Sequence, residues 1–524
     1  MWSTMETRET NALMEPGHFR RHTVKKTIFS FFLIFLFLFS AFFNPHAQCA
    51  ASGAAASNTK NSSSNQTNLT LSLSNPHPPY KTPAAVTVTV TAQNIGNQTL
   101  NISLSDSDTT GNTTLSSPSL TLTPSSPSAS TTLNYNGEKL PLPGVTITAA
   151  AGEISTQAYF MPEGENFRIP LQPQPYSIAI DAAGNVWVTG YSKVNANCPS
   201  PFFWVHRGIT EINPSGKIIR TVSPTWESCS YAGAAIDKRG NIWVTSNGEM
   251  SVVKLSPSGA TLGTYNVGMS PHGIAIDAAG NIWVAGVLNR GLFGGYSGKV
   301  VKLSPTGKIL GTFSVGKDLR NLAISASGDV WVTDHAKGDV IKLSPTGAVL
   351  GTFKVGMWPE GITTAPSGSI WVTNFGSFNV TELSSSGAVL GTFNAEPVGL
   401  NEQSAGPHRV AVDDSGNVWV GTMQHTYEQP NSVNSAIFSP IHHFLMSGNN
   451  LIKFNAAGTP LGSIFAGTGI QGMAIDRYGN VWVTNRITNV VSVITGAASS
   501  GEFFPYQYQC QTPCHSSPSA PQWP

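Results

Sequence analysis

The chain has 524 residues, of which 11% are charged, and its formal net charge at pH 7 is +1. A chain of this length has room for two or three domains. Nucleic-acid binding depends on clustered positive charge, so a nearly neutral chain with few Lys and Arg argues against a nucleic-acid partner. The 51 glycines and 35 prolines favour a protein built from tight turns over a helical one.

Residues 1–50 have the pattern of an export signal. A basic stretch over 19–26 precedes an apolar run over 28–43 and a group of small residues near Ala47. We therefore expect a secreted protein, or one that lies in the periplasm or at the cell surface, with no transmembrane domain once the signal is cleaved. An uncleaved signal that stays as an anchor is the alternative.

The next two segments are predicted to be a linker and a small β-domain. Residues 51–67 are rich in Ala, Ser and Asn, which is typical of a linker. From 68 to 152, short runs such as 69–73 and 86–90 alternate apolar with polar residues. Six or so strands at this spacing predict an immunoglobulin-like β-sandwich.

A repeated motif dominates the rest of the chain. Seven copies of Asp-x-x-Gly-x-hydrophobic-Trp-Val or a close variant begin at residues 181, 237, 277, 325, 365, 413 and 476. In the third copy an apolar run precedes Asp277, and β-forming residues around Trp283 follow the turn, which predicts a hairpin. Asp277 is expected to accept backbone N–H groups, and Gly280 supplies the positive φ of the turn. These acids are therefore interpreted as turn-formers.

Each repeat has the length and the number of strands that are typical of a propeller blade. A third apolar run, a Ser-Pro-x-Gly turn such as 304–307 and a fourth run complete four strands within a period of 40 residues. The predicted fold class is all-β, a seven-bladed β-propeller over 165–496 preceded by the sandwich, with a Pro/Ser-rich tail over 497–524. The seventh copy offers only three strands, and residues 167–169 align with 353–355. An N-terminal strand is therefore expected to complete the last blade and close the ring.

Extra residues relative to this period indicate where function lies. They fall at 190–208, 287–298 and 421–450, after second strands, and at 394–407, after a fourth strand. All of these positions lie on the same face of an antiparallel blade, and loops on one face of a scaffold commonly carry function.

Aligning the copies predicts a ring of side chains at the mouth of the central channel on that face. The residues that enter the first strands are Tyr176, Ala232, His272, Arg320, Glu360, His408 and Gln471. The ends of the second strands add Ser246, Asp334, Asn374 and Asn485. Convergent His, Glu and Arg suit general acid/base chemistry or carboxylate recognition. The alternative is that a wet channel mouth simply tolerates polar residues.

The repeat resembles the NHL family, and more loosely the virginiamycin B lyase and gluconolactonase-like propellers. The steps Pro271-His272 and Pro407-His408 are similar to the Pro-His steps that carry the lyase histidines, and the nearest acid is Glu360. The resemblance implies His272, Glu360 and His408 as candidate catalytic residues. Gluconolactonase-like enzymes hold a metal, here Ca or Mg, with acidic and amide residues such as Glu360, Asn374 and Asp334.

The site predicted from all these observations therefore has two parts. The candidate catalytic residues are His272, Glu360 and His408. The candidate ligand-binding residues are Tyr176, Arg320, Asp334, Asn374, Gln471 and Asn485. The function predicted is an exported binding or interaction module for a small molecule, glycan or protein. The alternative is a C–O lyase or lactone hydrolase at the channel mouth.

Four cysteines follow the signal, an even number that suits an oxidising compartment. Cys198 and Cys229 are predicted to form one disulfide, and Cys510 and Cys514 another. Half of a metal site is the alternative for the second pair.

Overall fold

The computed structural model describes residues 67–162, 164, 166–171, 174–190, 208–224, 231–289, 295–395, 405–424, 450–467 and 469–496. Regular structure in these residues is all β, apart from one short 3-10 turn, Phe375–Ser377. None of their helical segments has the length and apolarity needed to cross a bilayer. The predicted leader, the predicted tail and all four predicted disulfide cysteines lie outside these residues.

The N-terminal domain consists of two four-stranded antiparallel sheets. Its strands are β1 (Asn68–Leu73), β2 (Ala84–Gln93), β3 (Leu100–Asp106), β4 (Thr113–Leu115), β5 (Ser119–Leu122), β6 (Ser128–Tyr135), β7 (Val145–Ala151) and β8 (Ile154–Phe160). One sheet has the order β1-β2-β6-β4 and the other β5-β3-β7-β8. Alternation along β2 buries Val86, Val88 and Val90 in a core shared with Ile147 of the other sheet.

The domain extends beyond the boundary predicted from the sequence. β8 pairs with β7 along its whole length, so residue 152 lies in the turn of a hairpin and not at the end of the domain. The short strand β4 was also not foreseen. Its pairing with β6 adds a fourth strand to the first sheet.

In the described residues after this domain, seven further four-stranded antiparallel sheets follow, named sheets 1 to 7 in chain order. Sheet 1 comprises β10 (Pro175–Ile180), β11 (Val186–Gly190), β12 (Ile209–Ile212) and β13 (Ile218–Val222); sheet 2 comprises β14 (Tyr231–Ile236), β15 (Ile242–Ser246), β16 (Ser251–Leu255) and β17 (Thr261–Asn266); sheet 3 comprises β18 (Ser270–Ile276), β19 (Ile282–Asn289), β20 (Tyr296–Leu303) and β21 (Ile309–Ser314). Sheet 4 comprises β22 (Leu319–Ile324), β23 (Val330–Asp334), β24 (Asp339–Leu343) and β25 (Val349–Lys354); sheet 5 comprises β26 (Pro359–Thr364), β27 (Ile370–Asn374), β28 (Asn379–Leu383) and β29 (Val389–Asn394). Sheet 6 comprises β30 (Ala405–Val412), β31 (Val418–Gln424), β32 (Asn450–Phe454) and β33 (Pro460–Phe465); sheet 7 comprises β34 (Ile470–Ile475), β35 (Val481–Asn485), β36 (Val490–Ile494) and the early strand β9 (Asn166–Pro170).

The sheets form a closed ring, which is a β-propeller arrangement. The first strand of each sheet contacts the first strand of the next, and β34 of sheet 7 contacts β10 of sheet 1. β9 pairs antiparallel with β36, as the alignment of residues 167–169 predicts. The fully buried Trp of each sheet packs into the core of the following sheet, and Trp482 of sheet 7 packs into sheet 1. Strand pairing and the packing of the Trp side chains therefore both close the ring.

The Asp-x-x-Gly turns of five sheets, and the equivalent turns that begin at Ser325 and Ala365, lie at one end of the sheets, called here the turn side. In the third copy the backbone of Asp277 bonds with Gly280 and Asn281, and Gly280 has φ +84°. The Asp277 carboxylate accepts hydrogen bonds from the Asn281 backbone and side chain and from Trp283 Nε1 at 3.1 Å. The acid therefore both closes the turn and fixes the indole. Its predicted role as a turn-former fits these contacts.

The opposite end of the sheets, called here the bulge side, holds the predicted insertions. The insertion expected at 287–298 is in part regular structure, because residues 287–289 pair with 296–298 and lengthen the hairpin of β19 and β20. Parts of the expected insertions at 394–407 and 421–450 also belong to the long strands β30 and β31. Residues 191–207, 290–294, 396–404 and 425–449 lie outside the described residues.

Candidate functional site

Every first strand carries a β-bulge near the bulge side. In sheet 3 the register shifts between Pro271 and Ile274, so His272 and Gly273 together lie opposite the single residue Ala285. A bulge adds one residue and re-aims the side chains next to it. The bulge of each sheet therefore presents residues to the ring axis that simple strand alternation does not predict.

Threonines of the second strands tie the bulges together. Thr245 Oγ1 accepts a hydrogen bond from the Gly233 backbone N–H in its own sheet and donates to His272 O of the next sheet at 3.1 Å. Equivalent donors to the neighbouring bulge carbonyl are Thr189, Thr333, Thr373 and Thr484. Gly233 has no room for a side chain, since a Cβ there would lie 2.6 Å from His272 O. Tight packing therefore fixes the positions of the bulge residues.

A cavity of about 190 Å³ lies where these bulges meet. Five of the seven residues predicted for the ring line it: Tyr176, Ala232, His272, Arg320 and Glu360. They come from sheets 1 to 5, so residues up to 184 positions apart in sequence share one small polar cavity. The cavity is the concave, charged feature expected of a binding site.

The two remaining ring residues lie behind the cavity lining. His408 is only 5% exposed, and its Nδ1 is buried without a hydrogen-bond partner. Gln471 is 2% exposed and its Nε2 donates to Met423 Sδ at 2.7 Å. At these two bulges it is the following residue, Arg409 or Gly472, that lines the cavity.

The strand-end residues Asp334, Asn374 and Asn485, which the sequence predicts to bind a ligand, do not line this cavity. All three are buried and make hydrogen bonds within or next to their own sheets. Asp334 accepts hydrogen bonds from the backbone N–H groups of Lys317 and Asp318 at 2.8 and 3.0 Å. Its carboxylate therefore holds the connection that leads into sheet 4.

The two asparagines have similar structural roles. Asn374 Nδ2 donates to Asn379 Oδ1 and Thr381 Oγ1, both at 2.8 Å. Asn485 Nδ2 donates to Ala466 O at 2.9 Å and to Ser492 Oγ. These side chains stabilise strand connections and do not line the cavity.

Arg409 is a cavity residue that the sequence-based prediction missed. At the equivalent bulge position sheets 2, 3, 5 and 7 have glycine, as Gly233 does in sheet 2. In sheet 6 the usual second-strand threonine is replaced by Gly421, and Arg409 Nε donates to Gln471 O, the bulge carbonyl of sheet 7. The sequence signal that could have identified Arg409 is that the other copies have small residues at this position.

A chain of ionisable side chains runs from the bulge side to the cavity. His335 lies between two carboxylates, with Nδ1 3.4 Å from Asp318 Oδ2 and Nε2 3.4 Å from Glu360 Oε1. Arg320 Nη2 donates to Asp318 Oδ2 at 2.8 Å. Glu360 Oε2 lies 3.8 Å from His408 Nε2. Asp318 was not among the predicted site residues, and His335 was expected only as a neighbour of Asp334.

Burial and neighbouring charges set the protonation of this cluster. Burial, assisted by the positive charge of Arg320, lowers the pKa of His272 to about 4, so its imidazole is neutral at pH 7. Burial and the guanidinium of Arg409 also lower the pKa of His408 well below its usual value. Although burial raises the pKa of Asp318, its contacts with His335 and Arg320 more than reverse this and lower it to about 2.

Arg320 keeps its charge in the same surroundings. Burial opposes ionisation of its guanidinium, but the carboxylates of Glu360 and Asp318 outweigh burial and raise its pKa. Arg320 Nε is buried and has no hydrogen-bond partner. The cavity can thus offer a ligand guanidinium donors, the Glu360 carboxylate as an acceptor or general base, and the neutral His272 as either donor or acceptor.

The residues proposed to hold a metal do not form a ligand set. Both oxygens of Asp334 accept backbone N–H groups, and Asn374 Oδ1, although it has no hydrogen-bond partner, is buried and lies outside the cavity lining. Among the residues that the structure describes, no group of three or more His, Cys, Asp or Glu side chains is arranged to hold a metal ion. The residues present therefore do not fit the Ca or Mg site that the gluconolactonase resemblance implies.

Comparison with known proteins found solved structures that are similar to this chain at low sequence identity, and three of them are described here. The chain matches no model of a known protein family, and no curated protein is significantly similar to it. A streptogramin B lyase structure is 18% identical over 64% of this chain and 98% of that one, with a TM-score of 0.46. A virginiamycin B lyase from Staphylococcus aureus is 17% identical over 64% and 99%, with a TM-score of 0.45. A protein of unknown function from Bacteroides caccae is 15% identical over 52% and 91%, with a TM-score of 0.37. Membership of the NHL family stays a prediction.

Proposed function

We propose that this protein is an exported binding module that captures a small ligand in the bulge-side cavity. In this proposal residues 165–496 are a seven-bladed NHL-type propeller, and the preceding domain is an immunoglobulin-like sandwich. The observation that carries the proposal is the cavity itself, where Arg320, Glu360 and Arg409 from three different sheets lie beside a neutral His272. Glycans and proteins remain alternative partners on the same side of the ring.

Charge balance in the cavity favours recognition of a polar ligand. Glu360 is surrounded by His335, His408 and Arg409 at 3.4, 3.8 and 4.0 Å, so its carboxylate is held in place by several partners. A fixed carboxylate next to an unpartnered guanidinium N–H provides orientation without rearrangement of the protein. Binding is therefore expected to depend on Glu360 more than on acids elsewhere.

A ligand screen tests this proposal. Wild-type protein should show a thermal shift with at least one member of a panel of lactones, cyclic depsipeptides, peptides and neutral oligosaccharides. Glu360→Gln, which keeps the shape of the side chain, should weaken that binding roughly 10-fold or more through loss of charged hydrogen bonds. Glu382→Gln is the matched control, because Glu382 belongs to the same sheet but lies outside the cavity lining. Equal effects of the two substitutions, or no shift with any compound, would contradict the proposal.

The second candidate is a C–O lyase or lactone hydrolase. It is favoured by one feature, the carboxylate of Glu360 in the same cavity as the neutral imidazole of His272, a pair that could act as base and hydrogen-bond donor. If this is the function, the screen should show turnover of a lactone or cyclic depsipeptide. Glu360→Gln should then reduce kcat by roughly 10²–10⁴-fold.

Export and oxidation are further parts of the proposal. We propose that Cys198 pairs with Cys229 and Cys510 with Cys514 in the mature protein, on the basis of the even cysteine count and the N-terminal signal. Thiol labelling of denatured, unreduced protein collected from the periplasm or medium should modify none of them. Labelling of Cys198 or Cys229 would refute the first disulfide.

A further inference from the structure

The connection that leads into sheet 5, residues 355–358, differs from its counterparts. In the connections that lead into sheets 3 and 4, the positive φ is taken by glycine, at Gly268 and Gly316, each with φ +65°. The equivalent Gly356 has no positive φ, and Trp358 has φ +54° in its place. Positive φ is unfavourable for a bulky side chain, and such residues are concentrated at functional sites. The strain here falls on a tryptophan on the bulge side.

Hydrogen bonds hold this conformation. The Phe375 N–H donates to Trp358 O and the Gly376 N–H to Met357 O, both at 3.0 Å. The Met357 N–H donates to Ser377 Oγ at 2.6 Å. A side chain at Gly376 would collide with the indole, since its Cβ would lie 2.8 Å from Trp358 Cε3. The connection and the 3-10 turn thus fix each other, and the tryptophan is presented in one orientation.

The result is an apolar surface next to the charged cluster. Trp358 is 40% exposed and Met357 60% exposed. The Trp358 indole lies nearly parallel to the His335 imidazole, with ring centroids 6.0 Å apart and an interplanar angle of 14°. His335 in turn contacts Asp318 and Glu360. An exposed aromatic side chain therefore borders a dense set of hydrogen-bonding groups.

We propose that Trp358 and Met357 form a subsite for a saccharide ring, beside the cavity that the proposed function assigns to ligand binding. This inference rests on that function and specifies its ligand class. A sugar ring has an apolar C–H face, which can stack on an indole, and an edge of hydroxyls, which can bond with Asp318, Arg320 and Glu360. A wholly apolar ligand would displace water from these charged groups. It could not replace the hydrogen bonds that the groups make to that water.

The charges of the cluster also favour a neutral ligand. Asp318 is paired with Arg320 at 2.8 Å, and Glu360 lies 4.0 Å from Arg409. Opposite charges that already neighbour one another give little net attraction for an ion. Hydroxyl groups can both donate and accept, so they can bond with either member of such a pair.

Calorimetric titration of the full mature chain with cellohexaose, chitohexaose and mannohexaose tests the inference. At least one of these neutral hexasaccharides should bind with a Kd on the order of 1 mM or tighter. Trp358→Asn and Trp358→Gly should each weaken that binding at least 10-fold, and Trp358→Phe should retain most of it because an aromatic face remains. Asn and Gly both tolerate the positive φ, so their thermal stability should stay close to that of the wild type.

Ile487→Ala is the matched control. Ile487 is also 40% exposed and lies in the β35–β36 turn on the bulge side, and its loss should not change the affinity. The inference is overturned if no hexasaccharide binds the wild type, or if the folded Trp358 variants bind as tightly as the wild type. Failure of the proposed function is a separate result, in which Glu360→Gln changes the binding of no ligand. A ligand that depends on Glu360 but not on Trp358 would refute the inference alone.

Discussion

The turn side and the bulge side of the ring differ in how closely the sheets resemble one another. On the turn side, five of the seven sheets repeat one arrangement, in which an Asp carboxylate accepts the indole N–H of the same sheet at 2.8–3.3 Å. On the bulge side, the first bulge residues of the seven sheets include Tyr, Ala, two His, Arg, Glu and Gln. The repeat therefore encodes the scaffold at one end of each sheet and leaves the other end free to vary.

The two exceptions on the turn side are informative. Sheets 4 and 5 have Ser325 and Ala365 in place of the Asp, and Trp331 Nε1 is buried without a hydrogen-bond partner. The same two sheets supply Arg320 and Glu360 to the cavity. The ring thus tolerates the loss of this interaction in two neighbouring sheets while their Trp packing is kept.

The largest effect is expected from exchanging the turn-side residue between a regular sheet and an exceptional one. Asp277→Ala should lower the free energy of unfolding by about 2 kcal/mol, because it leaves Trp283 Nε1 and the Asn281 amide without their acceptor. Ser325→Asp combined with Asp329→Asn, which gives sheet 4 the Asp and Asn of the regular turns, should raise it by about 1 kcal/mol, because the new carboxylate can accept from Trp331 Nε1 and from the new amide. Chemical denaturation of the two variants and the wild type measures both changes.

His272→Gln is the control for this pair, since it alters the bulge side and should change stability at pH 7 by less than either turn-side substitution. If the double variant at residues 325 and 329 were destabilised, the missing acceptor for Trp331 Nε1 would not be what lowers the stability of sheet 4 relative to the regular sheets. If Asp277→Ala had no effect, the repeated Asp would not stabilise the turn side.

A smaller effect is expected from pH, and it belongs to the bulge side. The pKa of His272 is lowered to about 4 in the folded protein, below the usual value of about 6.5 in an unfolded chain. Its contribution to stability is therefore complete above about pH 6.5 and is lost as the pH falls toward 4, because the unfolded state binds the proton first. Between pH 7 and 5.5 this loss should be about 1 kcal/mol, and His272→Gln should remove it.

Denaturation midpoints of wild type and His272→Gln at these two pH values measure the difference. His77, in the connection between β1 and β2, also has its pKa lowered to about 4 by burial, and a hydrogen bond with Met161 O only partly offsets this. The variant should therefore remain sensitive to pH, but less so than the wild type. Identical pH dependence of the two proteins would show that His272 is not protected from protonation by the fold.

The sequence predicted the fold better than the site, and the reason is the bulge. Strand positions, turn acids and the closing strand follow from alternation and turn chemistry, which are local and repeated. The bulge places two residues where alternation assumes one, so in sheet 6 Arg409 and not His408 reaches the cavity. Asp334 was assigned to a ligand from its polarity and its place at the end of a second strand, although its oxygens accept backbone N–H groups that only the folded connection brings close. The strand β4 is only three residues long and has almost no apolar alternation to reveal it.

The closure of the ring through β9 has a consequence for the order of events during synthesis. Thr495 Oγ1 donates to Pro162 O, a contact between residues 333 positions apart in sequence. The pairing of β9 with β36 spans a similar separation, so β9 is synthesised long before its partner strand. A newly made strand with no partner is prone to pair wrongly, and contacts between distant residues form late. The sandwich is complete before β10 emerges, and it already covers part of β9, with Lys139 Nζ 3.7 Å from the Phe167 ring centroid. The folded N-terminal domain can thus cover part of β9 until β36 has been synthesised and pairs with it.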